Sequence, residues 1–404
     1  MKRIMIAVLG LLMLLPLVAC GGKDAGWKDF TAGGATLEVG GKCADALKTL
    51  SSSCTKTTPS ATCWKKTGED VVYEYQSLGI RLKTYREKAG DSNEILRGIE
   101  LRSDSAKTPE GITIGSTADA VRANIQSYQT AAEGDSGVPL LIGVDEEGGT
   151  VVRVSRNPLL RERKFSSPQK LYASGGLDAV VRDTAEKDAL LASLGINVNL
   201  APVCDVSTDP EDFIYDRAFG QDAAATSAFV SAVVSHARQD GMGSVLKHFP
   251  GYGNNVDTHT GIARDSRDLA TFENSDFLPF HAGFAAGQGT AAVLVSHNIV
   301  ECMDPELPAS LSPAVHRTLR DDLGFAGVAM TDDLAMDAVQ AYARDGAVAV
   351  LALQAGNDLI ITTDYQTQIP AVLSAIAEGT LSESDIDAAC RRILQWKQSL
   401  GLLG

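Results

Sequence analysis

The sequence is poor in positive charge, in long apolar runs and in the spacings that hold metals or dinucleotides. Thirty-six Lys and Arg stand against fifty-one Asp and Glu, a net charge of −15 with no strong basic run. That excludes the electrostatic footprint of a nucleic-acid binder. Only one long apolar run occurs, at the extreme N-terminus, which excludes a multi-pass membrane protein. The seven cysteines match no zinc or redox spacing, so no metal is expected. No G-x-G-x-x-G turn follows the first strand-like run, so the dinucleotide-binding sheet is not indicated and no cofactor is expected. What remains is ordinary: 404 residues, 44% hydrophobic and 22% charged, with room for one large domain and a small one.

The N-terminal run has the layout of a leader. Lys2 and Arg3 precede the apolar stretch Ile4–Ala19, which ends Leu17-Val18-Ala19-Cys20 before Gly21-Gly22. This ending is similar to bacterial lipoprotein signals, and the similarity implies cleavage before Cys20 and lipidation of its thiol. Several acyl chains hold a protein stably on a membrane. The expected location is therefore the bacterial cell envelope, periplasmic or outer membrane. Cys43, Cys54 and Cys63 are close enough in sequence for one disulfide in an oxidising compartment. Cys204 and Cys390 lie in apolar contexts and read as core.

Four segments are expected: a signal peptide over 1–20, a Gly-rich tether over 21–42 with room for one short strand at Thr36–Val39, a small α+β module over 43–118 and a catalytic barrel over 119–404. Alternating stretches such as Val71–Tyr75 and Ile80–Leu82 suggest antiparallel strands in the module. After residue 119 strand-like apolar runs alternate with helical stretches, among them Ala223–Gln239, Asp337–Ala355 and Ser384–Leu400. The runs are Pro139–Asp145, Val198–Val206, Ser244–Phe249, Ala291–His297, Gly327–Thr331 and Asp358–Thr362. Such alternation means an α/β fold with a parallel sheet covered on both sides. Asp145, Asp205, Lys247-His248, His297 and Asp332 all arrive at strand ends. Chemistry delivered from several strand ends favours a (β/α)8 TIM-like barrel. Six strands are legible rather than eight; the first barrel strand is not recognisable, and Gly111–Ile114 is a poor candidate for it.

The chemistry concentrates in a few loops. Gly143-Val144-Asp145-Glu146-Glu147-Gly148-Gly149 brings three carboxylates and two glycines to one strand end. Lys247-His248-Phe249-Pro250-Gly251-Tyr252-Gly253 sets a cation and an imidazole before a Pro-Gly turn, suited to the hydroxyls of a polar substrate. Asp257-Thr258-His259 spaces a carboxylate to orient an imidazole, a plausible general acid/base pair. Of Asp332 and Asp333, the first is expected to face the mouth and the second to cap the following helix.

Taken jointly, these motifs resemble glycoside hydrolase family 3, specifically its single-barrel β-N-acetylglucosaminidase branch. The resemblance covers roughly residues 138–403. It also rests on Asp216-Arg217-Ala218-Phe219-Gly220, Ser296-His297, Thr331–Met336 and Ala355–Asp358. It implies that Asp332 is the nucleophile forming a covalent glycosyl-enzyme and that His259, oriented by Asp257, is the general acid/base. It further implies that Asp145, Arg153, Arg217, Lys247, His248 and His297 bind the sugar and shape its site. The substrate implied is an amino-sugar glycan of cell-wall type, cut as a retaining exo-β-N-acetylhexosaminidase. A family β-glucosidase, a β-N-acetylglucosaminide phosphorylase and a non-catalytic glycan-binding lipoprotein are the competing readings. The chain departs from the family pattern at Tyr252, where His is frequent, and at Thr150, where Arg is frequent.

Overall fold

A computed structural model of the chain describes residues 30–38, 41–61, 68–78, 80–101, 116–255, 263–342 and 347–403. Cys20, Cys63, Gly111–Ile114, Asp257 and His259 lie outside the described residues. Internal packing divides the chain into two units. One takes residues 30–124 with Asn157–Glu162, the other residues 125–156 with 163–403.

The smaller unit is built on a four-stranded antiparallel sheet. Its strands are Lys56–Ala61, Glu69–Tyr75, Ile80–Arg86 and Ile95–Leu101, paired in chain order. The alternation seen in sequence is a real pleat: Val71 and Tyr75 on one strand and Ile80, Leu82 and Thr84 on the next are buried. One short helix, Ala44–Thr49, belongs to this unit. Residues 30–37 correct the tether expected over 21–42. They form an antiparallel hairpin, Phe30–Ala32 against Ala35–Leu37, with Phe30, Ala35 and Leu37 buried in the unit's core. Its two-residue turn is Gly33-Gly34, both at positive φ (54° and 81°), which hairpin turns of this kind require. Cys43 and Cys54 are both free thiols, so no bridge joins that pair.

The larger unit is α/β, with a curled parallel sheet of five strands. In spatial order these are Gly143–Val144, Val198–Asn199, Gly243–Phe249, Ala291–Val295 and Ala329–Thr331, each parallel to its neighbour. A single parallel bridge, Met330 to Leu359, carries the sequence's sixth run onto the edge. Among the described residues no pairing closes the sheet from Leu359 back to Gly143, so closure of a full eight-stranded barrel is not seen there. Gly243–Phe249 is buried at every position, as a strand covered on both faces must be.

Helices follow the strands and start where capping chemistry permits. Ser167 accepts from Lys170 N and precedes Pro168 at the head of helix Pro168–Ser193. Asp222 Oδ1 accepts from Ala225 N at 2.9 Å to open Ala223–Gln239. Ser312 accepts from Val315 N, again ahead of a proline, to open Pro313–Arg317. The helix expected over Asp337–Ala355 is instead two helices, Asp337–Gln340 and Val348–Ala355. Helix Ala118–Ser136, with only Ile125 recorded as buried, shows too weak an apolar stripe to announce itself in sequence.

Candidate active site

The C-terminal ends of the parallel strands converge on one charged network. Lys247 Nζ lies 2.6 Å from Asp145 Oδ1 and 2.6 Å from Glu147 Oε1. Arg217 grips the same Glu147 with two bonds, Nε to Oε2 at 3.0 Å and Nη2 to Oε1 at 2.8 Å. Burial pushes the Glu147 carboxyl up, but Lys247 and Arg217 outweigh it and hold Glu147 far below the carboxylate range. Burial likewise works against the Lys247 ammonium, yet Asp145 and Glu147 raise it above its ordinary value. Both cations are therefore charged at any working pH, and so is Glu147.

Asp205 is the hub of the next strand end. Its carboxylate accepts from His248 Nδ1 at 2.7 Å, from the His248 amide at 3.3 Å and from the Tyr252 amide at 2.8 Å. A carboxylate accepts, so the proton sits on Nδ1. Arg217 Nη2 can then donate to His248 Nε2 at 3.1 Å. The tautomer of His248 is thus fixed from both sides. Gly251, at φ +135°, is held against Asp276, and a Cβ added there would collide with the Asp276 carboxylate. Asp205 was legible as a strand end but not as the organiser of this loop.

At the fifth strand the two neighbouring aspartates divide their work. Asp333 Oδ1 accepts from the amides of Ala335 at 2.9 Å and Thr363 at 3.1 Å, so it braces the loops. Asp332 Oδ1 accepts from the Asp333 amide at 2.8 Å, while its own amide donates to Val295 O on the fourth strand at 3.4 Å. Burial pushes the Asp332 carboxyl up. His297, His248, the Asp333 amide and Lys247 together more than offset it and leave Asp332 below its ordinary value. Asp333 moves the other way, raised chiefly by burial. His297 itself is buried, with Nδ1 2.7 Å from Ser310 Oγ and Nε2 3.2 Å from Asp333 O.

The structure thus brings together Asp145, Arg217, Lys247, His248, His297 and Asp332. Arg153 directly follows the hairpin of Glu146–Gly148 and Val151–Val152 that comes after the first strand, and its amide donates to Glu146 Oε2 at 2.8 Å; its guanidinium has no hydrogen bond or ion pair among the described residues. Asp257 and His259 are not among the described residues, and Cys20 is likewise outside them. Glu146 is fully buried and fully used: its carboxylate takes the amides of Arg153, Val154 and Ser155 and the Ser155 hydroxyl. The missed residues are Glu147, which centres the ion pairs, and Ser310, which holds His297. Adjacent Glu146 and Glu147 look alike in sequence, and only the turn after the first strand sends them to opposite partners. No three His, Cys, Asp or Glu side chains among the described residues converge as a metal site requires.

Comparison with known proteins gives this geometry a setting. The sequence pattern of the glycosyl hydrolase family 3 N-terminal domain matches residues 108–396. A β-hexosaminidase of Xylella fastidiosa (strain M23) is 34% identical over 288 residues, covering 69% of this chain and 83% of that protein. A family 3 β-N-acetylglucosaminidase structure from Paenibacillus sp. FPU-7 superposes with TM-score 0.66 at 30% identity. It is matched over 72% of this chain, which spans only 56% of that one. A β-N-acetylhexosaminidase structure from Beutenbergia cavernae superposes with TM-score 0.62 at 28% identity, covering 70% of this chain and 86% of its own.

Proposed function

This chain belongs to glycosyl hydrolase family 3 and is a glycoside hydrolase; from that premise we propose that it is a retaining exo-β-N-acetylhexosaminidase that removes terminal β-linked N-acetylglucosamine. The observation that carries the proposal is Asp332. It directly follows the fifth strand with a carboxyl that the charges of His297, His248 and Lys247 help to depress, while its neighbour Asp333 is occupied with loop amides. An amino-sugar glycan as substrate is supported by the hexosaminidase relatives, and its cell-wall type is part of the proposal. The curled sheet is read as part of a (β/α)8 barrel on the strength of the family 3 neighbours.

In this reading Asp332 attacks the anomeric carbon and forms a glycosyl ester as the leaving-group oxygen departs with a proton. Water then attacks the anomeric carbon, a base takes its proton, the bond from that carbon to the Asp332 oxygen breaks, and Asp332 leaves as carboxylate. Asp145, Arg217, Lys247 and His248 bind or orient the sugar, and Arg153, whose guanidinium is unpaired among the described residues, joins them. The acid/base is His259, oriented by Asp257. The packing supports this by subtraction. Glu146 is consumed by amides, Glu147 by two cations, and His248 by Asp205 and Arg217. None of the three is available to move a proton.

Hydrolysis of aryl β-N-acetylglucosaminide is expected to exceed that of aryl β-glucoside, with no acceleration by added phosphate. A 5-fluoro glycosyl substrate should leave its label on Asp332, and Asp332→Asn should lose turnover while keeping the circular dichroism spectrum. Labelling of Asp333 or Asp205, or strict phosphate dependence, overturns the reading.

The envelope location and the lipid on Cys20 form part of the same proposal, supported by the Leu17–Cys20 signal. Mass spectrometry of the mature N-terminus should find acylated Cys20; an unmodified Cys20 there would refute it.

A further inference from the structure

The loop that leaves the second strand begins and ends in the site, at Asp205 and Arg217, and carries an aromatic ring outward between them. Phe213 is 42% exposed. Lone exposed apolar residues are common and mean little. Phe213 differs because both of its flanks are pinned. Ser207 Oγ donates to Asp212 Oδ2 at 2.8 Å, and the amides of Asp212 and Tyr215 close turns onto Asp209 O and Asp212 O. Ile214, the next residue, is completely buried, and the amides of Arg217 and Ala218 both bond to its carbonyl. Gln169 Nε2 ties Tyr215 O from outside the loop at 2.6 Å. The ring is held out to solvent by a rigid turn.

It is also continuous with the site. The Phe213 ring lies 5.7 Å from that of Tyr252, tilted by 36°. Tyr252 is buried and meets the His248 ring edge-on, with centroids 5.7 Å apart. Its amide hangs on Asp205. A row of rings thus runs from His248, beside the Glu147–Arg217–Lys247 network, out to the surface at Phe213.

We infer that Phe213, backed by Tyr252, is the platform for the second sugar of the substrate, the ring on the leaving-group side. This rests on the hydrolase reading above. Of the groups assigned to the terminal sugar, Lys247, His248 and His297 are buried and Asp145 and Arg217 half-buried, whereas Phe213 stands exposed, so the next residue of a glycan emerging toward solvent is the one offered the exposed ring. The face of a pyranose presents C–H groups to an aromatic surface, and its hydroxyls point sideways. The exposed carboxylates of Asp209, Glu211 and Asp216 on the same loop can accept from such hydroxyls. The same carboxylates repel an anionic leaving group.

The test compares wild type, Phe213→Ala and Phe213→Trp on N,N′-diacetylchitobiose and on methyl β-N-acetylglucosaminide. Phe213→Ala should lower kcat/KM for the disaccharide about tenfold further than for the methyl glycoside, mostly through KM, and Phe213→Trp should restore it. Equal losses on both substrates, or none on either, overturn the platform. If the wild type instead prefers glucosides, the hexosaminidase reading fails, and the same comparison on cellobiose and methyl β-glucoside decides the platform independently. If nothing is hydrolysed, calorimetric binding of mono- and disaccharide to wild type and Phe213→Ala decides it by the same ratio.

Discussion

At the scale of single residues, the site is governed by who is already bonded to whom. His297 shows this. A carbonyl only accepts, so its Nε2 must carry the proton toward Asp333 O, and Ser310 Oγ fixes the other nitrogen. Ser310 is itself completely buried. Ser310→Ala leaves Nδ1 without that partner and frees the ring, and a lost buried hydrogen bond costs about 1–3 kcal/mol. His297 is also the largest influence holding the Asp332 carboxyl down against burial. Loosening it lets that carboxyl rise, and a nucleophile must be ionised. The acid limb of the kcat/KM profile should therefore move to higher pH, with kcat/KM at low pH falling about tenfold. Ser310→Thr should return the limb to its place. An unshifted limb would mean that Ser310 only fills space. Residues of this kind were invisible in sequence because a serine's partner is set by the fold. The strand-end groups were visible because an ionisable residue closing an apolar run stands out: Asp145, Lys247, His248, His297 and Asp332 all did.

At the scale of elements, helix and strand packing was legible where periodicity was strong and lost where glycine or weak amphipathicity hid it. Helices Ala223–Gln239 and Glu383–Ser399 fall within a residue or so of expectation. The Phe30–Leu37 hairpin is legible only in its second strand, because Gly33-Gly34 blends with the surrounding glycines and hides the two-residue turn that brings Phe30–Ala32 alongside. Glycine serves a different purpose in helix Phe277–Gly287. A Cβ on Gly283 would lie 2.5 Å from Leu246 Cδ1 and 3.2 Å from Val230 Cγ1. The missing side chain lets this helix press onto the third strand and onto helix Ala223–Gln239. Gly283 is also helical, so alanine gains on propensity while it clashes. Overpacking typically costs about 1–3 kcal/mol, and it should win here. Gly283→Ala should lower the melting temperature, and adding Leu246→Val, which removes a methylene from the crowded chain, should recover part of the loss. A stabilised single variant would show that the helix can shift away cheaply.

For the molecule as a whole, the described residues of the two units bury separate apolar clusters, one on an antiparallel sheet and the others about a parallel one, and only the latter fall mostly within the family match. The change of texture along the sequence foretold that separation, because alternating strands and continuous apolar strands bury their faces differently. The eight-stranded closure was inferred from ionisable residues arriving at several strand ends and not from eight visible strands, and among the described residues it is not seen. The molecule carries −15 overall, and in the heart of the site both cations are already taken: Lys247 and Arg217 answer Asp145 and Glu147. That arrangement acts as a filter on ligand valence. An uncharged sugar feels no long-range pull or push, so its kcat/KM should stay nearly flat from low to high ionic strength. A carboxylated glycan of the same size approaches a repelling surface and finds those two cations committed, so it should start slower and speed up as salt shortens the reach of the field to about 10 Å near 0.1 M. Parallel salt titrations with a neutral and an anionic substrate would expose the difference, and a falling rate for the anionic one would mean that an uncommitted cation receives it.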